Sequence, residues 1–224
     1  MATGRPNENS GRARPRYDAL VDVSTELFGK HGFEGTSVRM IADALGVKSG
    51  SLYSHIKSKD EVLHRIVLTV ADAFFDAVKE AGEAPGSPID RLRAMCRAHL
   101  EVIDHHGPAV RVYYDEWRRL GGKSKKQILT LRKAYENCFT EVIEEGIEDG
   151  SFGAVNVPWV TLVILSACNW SVEWYSHDGP RSPAEIADGF MEVLFDGIRA
   201  DSPAYAAPRR KKSAKRTKRP ASKR

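Results

Sequence analysis

The residues with the clearest chemical use stand together at positions 36–60, TSVRMIADALGVKSGSLYSHIKSKD. Two short helices around Gly46-Val47 are what a helix-turn-helix needs: Gly46 permits the tight turn, and Val47 is expected to anchor it in the core. Leu52 and Ile56 face inward on the second of these helices. At 100° per residue the opposite face then carries Gly50, Ser51, Tyr53 and Ser54, the face a major groove would receive. Gly50 lets the backbone approach DNA, and Ser49 and Ser51 are candidates for base contact. Tyr53 offers an apolar body and a hydroxyl for a phosphate or a thymine methyl. Lys48, His55 and Lys59 flank the groove as cationic or polar partners. Lys59 also opens the following helix, whose free N–H groups suit a phosphate. Ser37 and Arg39 start the preceding helix and are placed to touch the DNA backbone.

These residues need a scaffold, and the rest of the chain reads as one. Leu20, Val23, Leu27 and Phe28 mark one face of a first helix from about Arg14, stopped by Gly32. Thr36-Ser37 caps the second helix, with Val38, Ile41, Ala42 and Leu45 inward. A third, very short helix begins near Ser49. The fourth starts at Lys57-Ser58-Lys59-Asp60 and runs to about Glu80. The breaker AGEAPGS precedes a helix over about 88–104, and His105-His106-Gly107-Pro108 breaks again. Further helices are expected to about Leu120, from Gly121-Gly122 to about Asp149, from Asn156 to about Asp178, and from the capping box Ser182-Pro183-Ala184-Glu185 to about Arg199. No stretch alternates like a strand. The expected fold is all-α with about nine helices.

The 224 residues and 42% hydrophobic content suffice for a real core. The net charge of +4 hides an asymmetry. Residues 208–224 carry ten Lys/Arg and no acid, which leaves 24 Lys/Arg against 30 Asp/Glu, or −6, for residues 1–207. Such a basic segment points to a polyanion and, on DNA, would add salt-dependent, sequence-independent attraction. Cys96, Cys138 and Cys168 lack the spacing of a disulfide framework or a zinc site. The first residues carry no signal peptide, and the apolar run Pro158–Cys168 is too short to span a bilayer. A cytoplasmic, nucleoid-associated protein without membrane contact is expected. No nucleophile–base spacing, Gly-rich phosphate loop or HExxH is present, so neither an enzyme nor a cofactor or metal is expected.

Thr36-x-Val38-Arg39-x-Ile41-Ala42, Gly46-Val47, Gly50-x-Leu52-Tyr53-x-His55 and Lys57-x-Lys59-Asp60 resemble the N-terminal domain of the TetR family of bacterial regulators. The resemblance covers about residues 14–75. It implies a homodimer on a palindromic, double-stranded operator, with a separate C-terminal domain for a small-molecule effector. The expected division is an N-terminal arm over 1–13, taken as disordered, and a reading head over 14–60. A ligand and dimerisation domain follows over 61–200, then a disordered basic tail over 201–224. Arg12, Arg14 and Arg16 are placed to reach phosphates or a minor groove.

In the C-terminal part, Tyr113, Tyr114 and Trp117 lie within five positions, Phe139 follows on the next helix, and Trp170 and Trp174 form an i, i+4 pair. Such aromatics can line an apolar pocket or fill a core. His99, on the face of Met95 and Val102, could reach a polar group of a ligand or sit satisfied in the interior. His105-His106 reads as a turn, since adjacent residues cannot share a helix face. Val160, Val163, Ile164, Ala167 and Ser171 form one stripe, and Ile186, Phe190, Val193, Leu194 and Gly197 another. Two such pairs would build a four-helix dimer interface, part of each stripe being buried in the monomer.

Ile103-Asp104-His105-His106, Tyr114-Asp115-Glu116 with Arg119-Leu120, Gly146-Ile147-Glu148-x-Gly150-x-Phe152, and Val172-x-Trp174-Tyr175 before Gly179-Pro180 are similar to one branch of the family. That branch contains actinobacterial repressors of steroid catabolism, which leave DNA on binding a steroid-derived CoA thioester. The resemblance implies an acyl- or steroid-CoA effector. One departure stands out: Glu173 and Ser176 occupy places where arginines suit CoA phosphates. Either Arg111, Arg118 or Arg132 takes over, or the ligand is not a CoA thioester. An efflux-pump repressor sensing apolar drug-like ligands and a ligand-independent architectural DNA binder are the alternatives.

Overall fold

The computed structural model describes residues 10–197, and within them nine α-helices and no strand. α1 (Ser10–Gly35), α2 (Val38–Ala44) and α3 (Ser49–Leu52) form the reading head. α4 (Lys59–Glu83) leads out of it into a bundle with α5 (Pro88–His105), α6 (Gly107–Glu116), α7 (Gly122–Glu148), α8 (Val157–Trp170) and α9 (Pro183–Asp196). Single 3₁₀ turns follow α6 at Trp117–Arg119 and α8 at Ser171–Glu173. Residues 1–9 of the expected arm, the expected last turn to Arg199 and the basic tail lie outside the described residues. The backbone of 10–13, expected in the arm, is already helical, so Arg12, Arg14 and Arg16 stand on helix.

α1 buries Leu20 and Phe28 and half-buries Val23 and Leu27, the stripe read from the sequence. At Gly32 the backbone turns to φ 72°, a conformation that Cβ disfavours, and the regular helix breaks there. Ser37 caps α2 through its hydroxyl, which accepts from Met40 N at 3.2 Å. α4 is the axis of the molecule. Its apolar face, Val62, Leu63, Ile66, Val67, Val70, Phe74 and Val78, is buried against α1, α5, α6 and α7. Ser58 caps it, as the sequence predicts.

α9 packs antiparallel along α5. Ile186, Ala187 and Met191 are buried, and Arg97 grips Asp188 with two N–H···O bonds at 2.6 and 2.7 Å. Its capping box on Ser182 and Glu185 is complete. α8 departs from expectation. It ends at Trp170 rather than near Asp178. The Arg111 guanidinium takes the Val172 carbonyl at 3.3 Å and the Glu173 carboxylate at 2.9 Å, which draws this segment into the 3₁₀ turn. Among the described residues no helix is long and apolar enough to cross a membrane.

Candidate functional site

The reading head presents most of the predicted DNA-facing residues to solvent. Ser37, Arg39, Lys48, Gly50, Ser51, Tyr53 and His55 are exposed, and Ser49 is half-buried. Leu52 and Ile56 are 2% exposed on the opposite side. Tyr53, 59% exposed, has its ring off the core and its hydroxyl free to reach a phosphate. Arg39 faces Asp43 at 3.7 Å, but both side chains are open to water, so the pair costs little to part.

Two expectations for this head are corrected. Val47 is 42% exposed and anchors nothing. The turn is held by backbone instead: Gly46 takes φ 67°, and Val47 N donates to the Ala42 carbonyl at 3.0 Å. Lys59 points inward. Its ammonium donates to the carbonyls of Phe33 and Thr36, at 2.5 and 2.8 Å, and lies 4.1 Å from the Phe33 ring centre. Two of its three donors are thereby spent on the end of α1. Lys59 fastens the start of α4 to the end of α1 before it meets any phosphate.

A cavity of about 310 Å³ lies between α4, α5, α6, α7 and α8, within the size range of small-molecule sites. Its apolar wall is Ala71, Phe74, Leu129, Leu131 and Leu165, its polar groups are His99, Tyr113, Tyr114, Arg132, Tyr135 and Asn169, and the Lys133–Glu136 ion pair borders it. Phe74 is the hub, stacked on His99 at 4.6 Å and ringed by three tyrosines. The polar groups are wired in pairs. Tyr135 and His99 Nδ1 lie 2.7 Å apart, Arg132 donates to the Tyr113 hydroxyl at 2.7 Å, and Tyr114 donates to Asn169 Oδ1 at 2.6 Å. Burial holds the His99 imidazole down at about 3, so it is neutral at physiological pH, and burial pushes the phenols of Tyr114 and Tyr135 up. Tyr113 accepts from Arg132, which leaves its own O–H free to donate. The Asn169 amide N–H₂ is free likewise. The cavity therefore offers donors to a carbonyl or carboxylate among apolar walls.

His99, Tyr113 and Tyr114 thus line the cavity as expected ligand residues. The other four do not. Phe139 is fully buried core beside Tyr135. Trp117 is buried in the 3₁₀ turn after α6, outside the cavity wall. Trp170 is 65% exposed and Trp174 47%, and the end of α8 falls between them, so they share no helix. Tyr135 and Asn169 were missed, and Arg132, read from the sequence only as a cation for CoA phosphates, stands in the cavity wall. The signal for Tyr135 was available: it precedes Phe139 by one turn on a face that also holds Ile128 and Leu131.

A carboxylate joins cavity and reading head. Glu116, 7% exposed at the end of α6, accepts from Phe33 N at 3.1 Å, just past the Gly32 break. Arg119 pairs with Glu116 and with Glu34 of α1, the latter at 2.7 Å. Tyr113 and Tyr114 stand one turn before Glu116, so the helix that lines the cavity also holds the end of α1. Opposite this region, α8 and α9 expose Trp159, Leu162, Val163, Trp170 and Val193. The stripes read from sequence divide here. Ile164, Ser171 and Ile186 are buried within the monomer, whereas Val163 and Val193 face out.

An exposed helix-turn-helix tied to a helical body with an internal cleft defines a ligand-responsive DNA-binding regulator. Residues 20–66 match the family model for bacterial regulatory proteins of the tetR family, and residues 85–198 match a tetracyclin repressor-like C-terminal domain. The chain belongs to the TetR family of transcriptional regulators, and is no enzyme. It is 30% identical to the transcriptional repressor KstR2 of Mycolicibacterium smegmatis over 200 residues, covering 88% of this chain and 96% of that one. The structure of the ketosteroid regulator KstR2 of Mycobacterium tuberculosis superposes with a TM-score of 0.75 at 29% identity, over 86% of this chain and 96% of the other. AibR in complex with isovaleryl coenzyme A and operator DNA superposes with a TM-score of 0.72 at 27% identity, over 80% and 98%. Regulators of this family bind operator DNA as dimers and sense small molecules.

Proposed function

We propose that the chain is a cytoplasmic, nucleoid-associated repressor that holds a palindromic operator as a homodimer. An acyl- or steroid-derived CoA thioester, or its free acid, enters the cavity and releases it. One observation carries this reading: α6 places Tyr113 and Tyr114 in the cavity wall and Glu116 on the Phe33 N–H of the reading head. A ligand that displaces α6 therefore moves the end of α1 and, through Lys59, the start of α4 relative to the recognition helix. In a dimer this changes the spacing of the two heads against half-sites about one DNA turn apart. Ser37, Arg39, Lys48, Ser49, Gly50, Ser51, Tyr53 and His55 form the DNA face. His99, Tyr113, Tyr114, Arg132, Tyr135 and Asn169 form the ligand shell. The exposed apolar residues of α8 and α9 form the dimer face. The CoA class is supported by the isovaleryl coenzyme A complex of AibR, and a steroid acyl group by the similarity to the ketosteroid regulator KstR2.

The test is fluorescence anisotropy of a labelled duplex from the gene's own upstream region. After protein saturates the duplex, the complex is challenged with paired acids and CoA thioesters of branched, straight-chain and steroid acyl groups. Release by one chemical series supports the reading, and its members name the effector. A tight complex that no acid or thioester disturbs rejects the effector class. Binding no tighter than to scrambled duplex rejects an operator in that region.

A further inference from the structure

We infer that the corner where α6 ends and α7 begins is an oxyanion site at the mouth of the cavity, taking the negatively charged end of the effector. The inference rests on the cavity being the effector's pocket. The guanidinium carbons of Arg118 and Arg132 both lie 4.7 Å from the Trp117 ring centre. Arg132 is also oriented by its bond to the Tyr113 hydroxyl and forms part of the cavity wall. The Lys125 ammonium donates to the Arg118 carbonyl at 3.2 Å, so a third cation sits at the same corner.

These three cations have no ion-pair partner among the described residues, and four carboxylates of the surrounding elements pair with other cations, whereas Asp115 of α6 pairs with none. Glu34 and Glu116 serve Arg119, Glu136 faces Lys133 at 3.4 Å, and Glu173 holds Arg111 at 2.9 Å. The placement also runs against the helix dipole. α7 starts without a side-chain cap and without an acid in its first turn, yet Lys123, Lys125 and Lys126 stand there. Cations at the positive end of a helix repel it, and a bound anion reverses that. A guanidinium held over an aromatic ring by its charge keeps N–H donors for an oxyanion, all of them on Arg118 and those not given to Tyr113 on Arg132.

The arrangement answers the question posed by Glu173. Arg111 is neutralised by it, so positive charge for the ligand has to come from Arg118, Lys125 and Arg132. Lys125 precedes Arg132 by seven residues, about 10 Å along the helix. The corner is thus long enough for more than one anionic group. Two effectors carry the required chemistry: a free acid, through its carboxylate, and a CoA thioester, through its phosphates.

The test uses the full-length dimer without DNA and isothermal titration calorimetry. Probes are inorganic pyrophosphate, coenzyme A, and the isovaleryl and octanoyl groups as free acid, CoA thioester and neutral methyl ester. The variants are R118A/R132A and the charge-keeping R118K/R132K, with circular dichroism to confirm folding. Binding of the anionic probes should weaken at least about tenfold in the alanine pair, lose most of its salt dependence, and recover in part in the lysine pair. Binding of the neutral methyl ester should weaken clearly less than that of the matching acid and thioester, and with no change in its salt dependence. Loss confined to thioesters and coenzyme A assigns the corner to phosphates, and loss confined to acids assigns it to a carboxylate. Anionic probes that bind equally to all three proteins, or no anionic probe binding to the wild type, overturn the site. Failure of the effector reading looks different: anions still bind at Arg118 and Arg132, but the operator complex is indifferent to them.

Discussion

Glu116 is the residue on which the link between cavity and DNA depends. Its carboxylate is buried and accepts from the Phe33 N–H just past the Gly32 break. E116A removes this acceptor from a buried donor, at a cost of about 1–3 kcal/mol. Chemical denaturation should show the loss, and E116Q, which keeps an acceptor, should lose less. On the DNA face, Lys48 stands exposed immediately before α3. K48A should weaken binding to operator and scrambled duplex alike and lower the slope of log K against log salt by about one. An unchanged slope would remove Lys48 from the phosphate contacts. The direction of Leu52 and Ile56 was legible in the sequence because helical periodicity alone decides it. The direction of Lys59 was not: its partners are carbonyls of Phe33 and Thr36, more than twenty positions away. Glu116 escaped notice for the same reason. Its acceptor role depends on an N–H 83 residues distant, and a backbone donor leaves no trace in the sequence.

At the scale of elements, α8 and α9 carry the dimer and the loop between them carries a pH-sensitive clasp. Leu162 and Val163 face out beside Trp159. L162D/V163D places two charges where a second copy would bury them, and a buried unpaired charge is prohibitive. Sedimentation should show a monomer that retains its helical spectrum and loses the operator, since one short recognition helix gives little specific affinity. A dimer that persists would move the interface elsewhere. In the clasp, Asp104 accepts from the Tyr175 hydroxyl at 2.6 Å and from His177 Nδ1 at 2.7 Å. The hydrogen bond and charge of Asp104 raise the His177 imidazole, and bonds from Tyr175 and His177 lower the Asp104 carboxyl. The histidine's contribution is present below its unfolded value of about 6.5 and fades as pH rises through its raised folded value. The aspartate's contribution is present above its unfolded value of about 3.9 and fades as pH falls through its lowered folded value. The Tm difference between wild type and H177A should be widest at about pH 4–6 and shrink as pH rises past neutrality. His177 is largely open to water, so the difference should be small. A difference that grows with pH would contradict the clasp. The helix count and the caps at Ser37, Ser58 and Ser182 were legible from Gly, Pro and hydroxyl positions. The early end of α8 was not, because Arg111 imposes it from another helix.

At the scale of the whole molecule, α4 and α6 both run between the cavity and the reading head, and the two ends share one set of buried contacts. Aromatic composition alone placed seven residues at a ligand, and the fold brings three of them to the cavity. The remainder divide between core and surface. Aromatic rings serve cavities, cores and interfaces by the same burial, and only the packing of α7 and α8 distinguishes the three. Tyr135 and Asn169 of the cavity's polar side come from two helices, α7 and α8, whose mutual register a single sequence does not display.

Reciprocal coupling between operator and effector is the most direct measure of the central claim. Operator affinity would be determined by anisotropy with and without a saturating amount of the tightest-binding thioester or acid, and that ligand's affinity with and without saturating operator. The structure predicts that the ligand lowers operator affinity at least about tenfold, a coupling of about 1.4 kcal/mol, and that the operator lowers ligand affinity by the same factor. E116A should diminish both factors together. Equal operator affinity in the presence and absence of a ligand shown to fill the cavity would contradict the claim.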